Sequence, residues 1–151
     1  MRKADLFDLP VIKDALLAML AKSPAPQMKY ADIDIVLNYL IYDAIPDGHA
    51  WVADGYLILV SKGRPWYSAE EFLIEDLILK IGESERGVAA AIEALEVLAE
   101  RFGVPLLAVG DTQIGYMTPK YEAAGFKVLG TQLYKEYPDG HCRSEAHLHR
   151  T

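Results

Sequence analysis

Three places in this sequence put together residue types that could do chemistry. The first is a polar turn from Gly82 to Arg86 leading into an Ala-rich run, Gly87-Val88-Ala89-Ala90. Helix-opening amides have no intrahelical acceptor and carry partial positive charge, so a glycine-containing turn into a helix can receive an anion such as a phosphate. The second is a pair of adjacent carboxylates, Glu75 and Asp76, inside a run of apolar and β-branched residues. A carboxylate held on a strand can take a proton from an attacking nucleophile. Strand alternation places Glu71, Leu73, Glu75, Leu77 and Leu79 on one face and Asp76 on the other. The third is His141, Cys142, His147 and His149 in a polar C-terminal stretch. These are metal-ligating types, but their spacing matches no standard zinc pattern, and no metal is expected. Trp51, Trp66 and Tyr67 could line an acceptor pocket, or pack in the core and on hairpins as strand aromatics do.

Elements must position these residues, and the composition permits them. The chain has 151 residues, 52% hydrophobic and 25% charged, enough for one domain with a core. Residues 1–138 are expected to form that domain and 139–151 a loose polar tail, dispensable for folding. No apolar stretch is long enough to cross a bilayer, and the Arg2-Lys3 start followed by Asp5, Asp8 and Pro10 does not make a signal peptide. A single cysteine fits a reducing cytoplasm. The net charge of -7 disfavours nucleic acid as a partner and favours a cationic amine or basic peptide.

A short strand is predicted at Arg2–Leu6, then a helix with Asp8 as N-cap and Pro10 in its first turn, ending before Ser23-Pro24-Ala25-Pro26. A second helix runs from Asp32 to about Ala44 and stops at Pro46-Asp47-Gly48. Strands follow at His49–Ala53 and Tyr56–Ser61, joined by the Asp54-Gly55 turn, and at Glu71–Ile81. The Ala-rich helix ends at Phe102-Gly103. A buried strand, Leu106–Val109, a short helix, Thr118–Ala124, and a closing strand, Lys127–Tyr137, complete the chain. The order β-α-α-β-β-β-α-β-α-β means an α/β domain with a mixed sheet and helices on both faces.

This order resembles the GNAT (GCN5-related N-acetyltransferase) superfamily over nearly the whole chain. Three segments carry the resemblance: Arg2-Lys3-Ala4 leading to Asp8-Leu9-Pro10; Glu75-Asp76-Leu77-Ile78-Leu79 followed by a loop and the Ala-rich helix; and Tyr121-Glu122-Ala123-Ala124-Gly125-Phe126, similar to the family's Tyr-x-x-x-Gly-Phe. The resemblance implies a mostly antiparallel central sheet flanked by helices and a direct transfer from acetyl-CoA to an amine of a small molecule or protein. In that reading the backbone of Leu77, Ile78 and Leu79 holds the pantetheine arm. Arg86, Gly87, Val88, Ala89 and Ala90 hold the pyrophosphate. Glu75 stands where some relatives carry a base, and Tyr121 protonates the departing thiolate, with Tyr116 as its substitute. The family's Gln/Arg-x-x-Gly-x-Gly/Ala is met here by Arg86-Gly87-Val88-Ala89-Ala90-Ala91, with Ala89 at a glycine position and Glu83 and Glu85 beside it. A methyl there opposes close approach of phosphates, which admits an alternative: a GNAT-fold binding or structural protein, of phage type, with a degenerate cofactor loop. A nucleobase-modifying relative is a further alternative, and a homodimer is allowed.

Overall fold

The computed structural model describes residues 1–108, 117–130 and 132–136. Its sheet has five strands in spatial order β1 (Arg2–Lys3), β2 (Ala50–Ala53), β3 (Tyr56–Gly63), β4 (Phe72–Lys80) and β5 (Leu106–Leu107). The first four pair antiparallel, and β5 runs parallel to β4. Helices α1 (Leu9–Lys22) and α2 (Ile33–Tyr39) cover one face, and α3 (Val88–Phe102) and α4 (Thr118–Ala123) the other. The mixed, mostly antiparallel sheet with helices on both faces is the architecture expected from the order of elements.

Each face has its own core. Leu57, Leu59 and Leu79 of the sheet pack with Ile12, Leu16 and Met19 of α1 and with Leu40. Ile58, Val60 and Leu73 pack with Val88, Ile92, Leu95 and Ala99 of α3 and with Tyr121 of α4. Alternation along β3 therefore feeds two cores from one strand. α3 ends at Gly103, whose φ of +66° makes the left-handed stop predicted for it.

The helix predicted from Asp32 is capped by that residue, whose carboxylate accepts the amides of Asp34 and Ile35. After Tyr39 it widens into a π-turn, Leu40–Ala44. Asp8 does not cap α1 through its side chain. Its carboxylate instead accepts the Asp5 amide and pairs with Arg2, closing a 3-10 turn (Leu6–Asp8) that shortens the predicted first strand. The Pro-rich connection after α1 contains a further 3-10 turn, Pro26–Tyr30.

The predicted closing strand is a correction. Residues 127–130 and 132–136 adopt no strand conformation. A strand needs a ladder partner, and the outer edge of β5 is only two residues long. Leu133 is 88% exposed and Leu129 80%. Glu136 in this segment instead pairs with Lys29 and accepts the hydroxyl of Tyr30 at 2.7 Å, tying it to the α1–α2 connection. Val109, Tyr116, Thr131 and the expected tail, with its histidines and Cys142, lie outside the described residues.

Candidate functional site

One interruption in β4 sets the geometry. Val60 stands opposite Glu75 and Leu59 opposite Leu77, so Asp76 is an extra residue, a β-bulge. An inserted residue reverses the alternation beyond it. Leu73 faces the α3 core, whereas Leu77 and Leu79 face the α1 core. The expectation that Glu75, Leu77 and Leu79 share a face is therefore overturned. Glu75 points toward α4, and Asp76 is exposed and accepts the Ser61 hydroxyl at 3.1 Å. Partial burial raises the Asp76 pKa, opposed by that hydrogen bond and by His49.

The β4–β5 ladder ends at Ile74↔Leu107, while β4 stays paired with β3 as far as Lys80. Beyond Ile74 the other edge of β4 has no strand partner among the described residues. A cleft of about 1340 Å³ opens there, bordered by Glu75, Leu77 and Ile78 of β4, Leu107 of β5, Tyr121 of α4 and Phe126 after it. Glu75 is 3% and Tyr121 4% exposed, and the Tyr121 hydroxyl donates to Glu75 Oε2 at 3.3 Å. Burial, then the neighbouring Glu75 carboxylate and its hydrogen bond, push the Tyr121 pKa far above that of a free phenol. Phe126 holds the ring edge-on at 5.1 Å between centroids.

A second, smaller depression of about 560 Å³ adjoins the first, sharing Glu96 and Ala124 with it. Arg86, Gly87, Val88 and Ala89 line it at the start of α3, with Lys120 and Ala123 of α4 opposite. The first borders the open β4 edge and the second the α3 N-terminus. Gly87 is the N-cap of α3 with φ of +68°, a conformation that favours glycine.

The turn before α3 is already hydrogen-bonded within the chain. The Asp54 carboxylate accepts the Ser84 hydroxyl at 2.8 Å, the Glu85 amide at 3.0 Å and the Arg86 amide at 2.9 Å. The Gly87 amide donates to Ser84 Oγ at 2.8 Å, and the Arg86 guanidinium pairs with Glu93. The Glu85 and Arg86 amides, and then the Ser84 hydroxyl, hold the Asp54 pKa below the ordinary carboxylate value. The amides of Val88 and Ala89 open the helix without intrahelical acceptors, as in any α-helix.

The chain resembles a solved structure. A predicted acetyltransferase from Clostridium acetobutylicum, crystallised with acetyl-CoA, superposes with a TM-score of 0.55 over 89% of this chain and 94% of that one, at 19% identity. The likeness is one of fold, the GNAT-like mixed sheet flanked by helices on both faces. No protein-family profile and no curated protein matches the sequence.

Within the GNAT-like fold, the structure brings Glu75, Leu77, Ile78 and Tyr121 to one cleft and Arg86, Gly87, Val88 and Ala89 to the depression beside it. Leu79 is buried in the α1 core. Ala90 is buried, and its amide donates to the Gly87 carbonyl. Trp51 packs in the α3 core and Trp66 is 96% exposed, so neither borders the cleft. Sequence reasoning missed Asp54, Ser84, Lys120 and the bulge. Asp54-Gly55 was legible as a hairpin turn, but nothing local shows what its carboxylate binds. Among the described residues no cluster could hold a metal ion, and no helix is long and apolar enough to cross a membrane.

Proposed function

We propose that this protein is an acetyl-CoA-dependent N-acetyltransferase that acts by direct transfer to an amine of a small molecule or protein. The observation that carries the reading is the Tyr121–Glu75 pair in the wall of the cleft beside the open β4 edge. Acetyl-CoA would supply the acetyl group as a thioester. The open backbone edge at Leu77 and Ile78 suits an extended, amide-bearing arm, and the first turn of α3 with Lys120 suits its phosphates.

The roles of the chain's own groups follow from their surroundings. Glu75 takes a proton from the attacking amine nitrogen. Tyr121, kept protonated by burial and by Glu75, gives its proton to the sulfur as the carbon–sulfur bond breaks. The proton on Glu75 then returns along their hydrogen bond to the Tyr121 oxygen, and both groups are restored. The pair works as one unit because neither side chain faces bulk water. The reading places the protein in the cytoplasm, where acetyl-CoA and a reduced lone cysteine belong.

A second reading, a GNAT-fold binding or structural protein without transfer, is favoured by one observation. The amides of Glu85, Arg86 and Gly87 are held by Asp54 and Ser84. Calorimetric titration with acetyl-CoA and with free coenzyme A separates the two. Binding predicts thermal stabilisation of about 2.7 kcal/mol at ligand about 100-fold above its dissociation constant. No heat and no shift at millimolar ligand selects the second reading.

A further inference from the structure

The turn from Ser84 to Gly87 has the form of a small anion receptor, with two successive amides and a hydroxyl converging on one point. The point is filled by a side chain of the same protein. Asp54 reaches it from the β2–β3 hairpin, thirty residues earlier than Ser84. The placement is fixed from both sides. Asp54 and Gly55 have φ of +44° and +76°, a turn with both central residues left-handed that aims the carboxylate out of the hairpin tip. The Gly55 carbonyl accepts the amides of Ile81 and Gly82 at 2.8 and 3.1 Å. A Cβ on Gly55 would lie 2.1 Å from the Glu83 carbonyl oxygen, so the tip and the turn touch backbone to backbone. Ser84 passes the contact on, since its oxygen donates to Asp54 and accepts from Gly87, the N-cap of α3.

We infer that Asp54 is the positioning residue of this turn, the internal anion around which Ser84, Glu85 and Arg86 are folded in the place a phosphate would take. A diphosphate-bearing ligand then meets the amides of Val88 and Ala89 and the Lys120 ammonium, and not the amides of Glu85 and Arg86. This last consequence rests on the acetyl-CoA reading; the role of Asp54 does not. The carboxylate also puts negative charge beside the depression, which weakens attraction for phosphate there and makes α3 and Lys120 the determinants of affinity.

The test uses Asp54→Gly, which suits the left-handed φ and removes the carboxylate, and follows backbone amides by NMR. In Asp54→Gly the exchange protection of the Glu85 and Arg86 amides should fall by about tenfold or more, as for a lost hydrogen bond to a charged acceptor. Protection at Leu57 and Leu79 should not change. Sodium formate should restore protection at Glu85 and Arg86 in the variant, and sodium chloride at equal ionic strength should not. Unchanged protection in Asp54→Gly, or no response to formate, overturns the inference. If Asp54→Gly fails to fold, Asp54→Asn serves, since Asn tolerates this φ and keeps an oxygen for one amide; a loss confined to one of the two amides is then expected. Inorganic pyrophosphate added to the wild type should shift Val88 and Ala89 and leave Glu85 and Arg86 in place. Movement of Glu85 and Arg86 in the wild type overturns the inference. Pyrophosphate that moves no amide counts against the acetyl-CoA reading, and the formate arm still decides the role of Asp54.

Discussion

Two carboxylates in this protein each accept a hydroxyl, Glu75 from Tyr121 in the interior and Asp54 from Ser84 at the surface, and the surroundings give them opposite consequences. At Glu75 the low-dielectric interior dominates. Burial, and then the neighbouring carboxylate and its hydrogen bond, hold the Tyr121 hydroxyl protonated and raise its pKa. At Asp54 water is near, and the loop amides stabilise the charge, so its own pKa falls. In the proposed reaction the interior pair moves protons, while the surface contact holds backbone in shape.

If that division is right, Tyr121→Phe has the largest effect. Turnover should drop by about 10²–10⁴-fold, with stability lowered by only about 1 kcal/mol, because the ring and its packing remain. Acetyl-CoA affinity should hardly change. Steady-state kinetics beside a thermal melt reads both, and intact turnover would remove Tyr121 from the chemistry. The matching change at the surface, Ser84→Ala, should leave turnover almost untouched.

The next effect belongs to the hairpin tip. Gly55→Ala drives a methyl into the Glu83 carbonyl at a left-handed φ, and denaturant unfolding should show a loss of about 1–3 kcal/mol. Gly87→Ala faces open space, but its φ of +68° with ψ of -158° is a conformation nearly restricted to glycine, so backbone strain alone should cost about 1–3 kcal/mol there. A loss in Gly55→Ala below about 1 kcal/mol would mean that tip and turn are not interlocked.

The pH dependence of stability divides the two regions further. Tyr121 has a folded pKa raised above the unfolded value. Its contribution is complete below about pH 10 and is lost as pH rises past that point, where the unfolded chain ionises first. The alkaline slope should shrink in Tyr121→Phe. Asp54 has a lowered folded pKa, so its contribution is present above the unfolded value near about 3.9 and fades as pH falls through the folded one. Chemical denaturation across pH in wild type, Tyr121→Phe and Asp54→Gly reads both arms.

The smallest expected effect is at Ala89. Removing its methyl in Ala89→Gly relieves close approach at the α3 N-terminus and should tighten acetyl-CoA binding by less than about tenfold, or 1.4 kcal/mol, by calorimetry. No gain would mean that the methyl is not what limits binding there.

Most of the framework was legible in the chain itself, because local physics decides it. Helical spacing in Ile12, Leu16 and Met19, the cap at Asp32, the Asp54-Gly55 turn and the glycine stop at Gly103 are each written within a few residues. Tyr121 and Glu75 could be picked out by type and place, but their contact spans 46 residues and exists only once α4 docks on the sheet. The closing strand was misread because alternation tells which face a strand would show and not whether the segment docks on an edge at all. The face of Leu77 and Leu79 was misread because a bulge at Asp76 carries no residue signature; it is set by how β4 fits β3. The state of the turn before α3 was beyond local reading too. Ser84-Glu85-Arg86-Gly87 reads as an open receptor for an anion. Only folding brings the hairpin tip against it and fills it with Asp54, because a hydrogen-bond donor in a sequence is free until the tertiary structure supplies its acceptor.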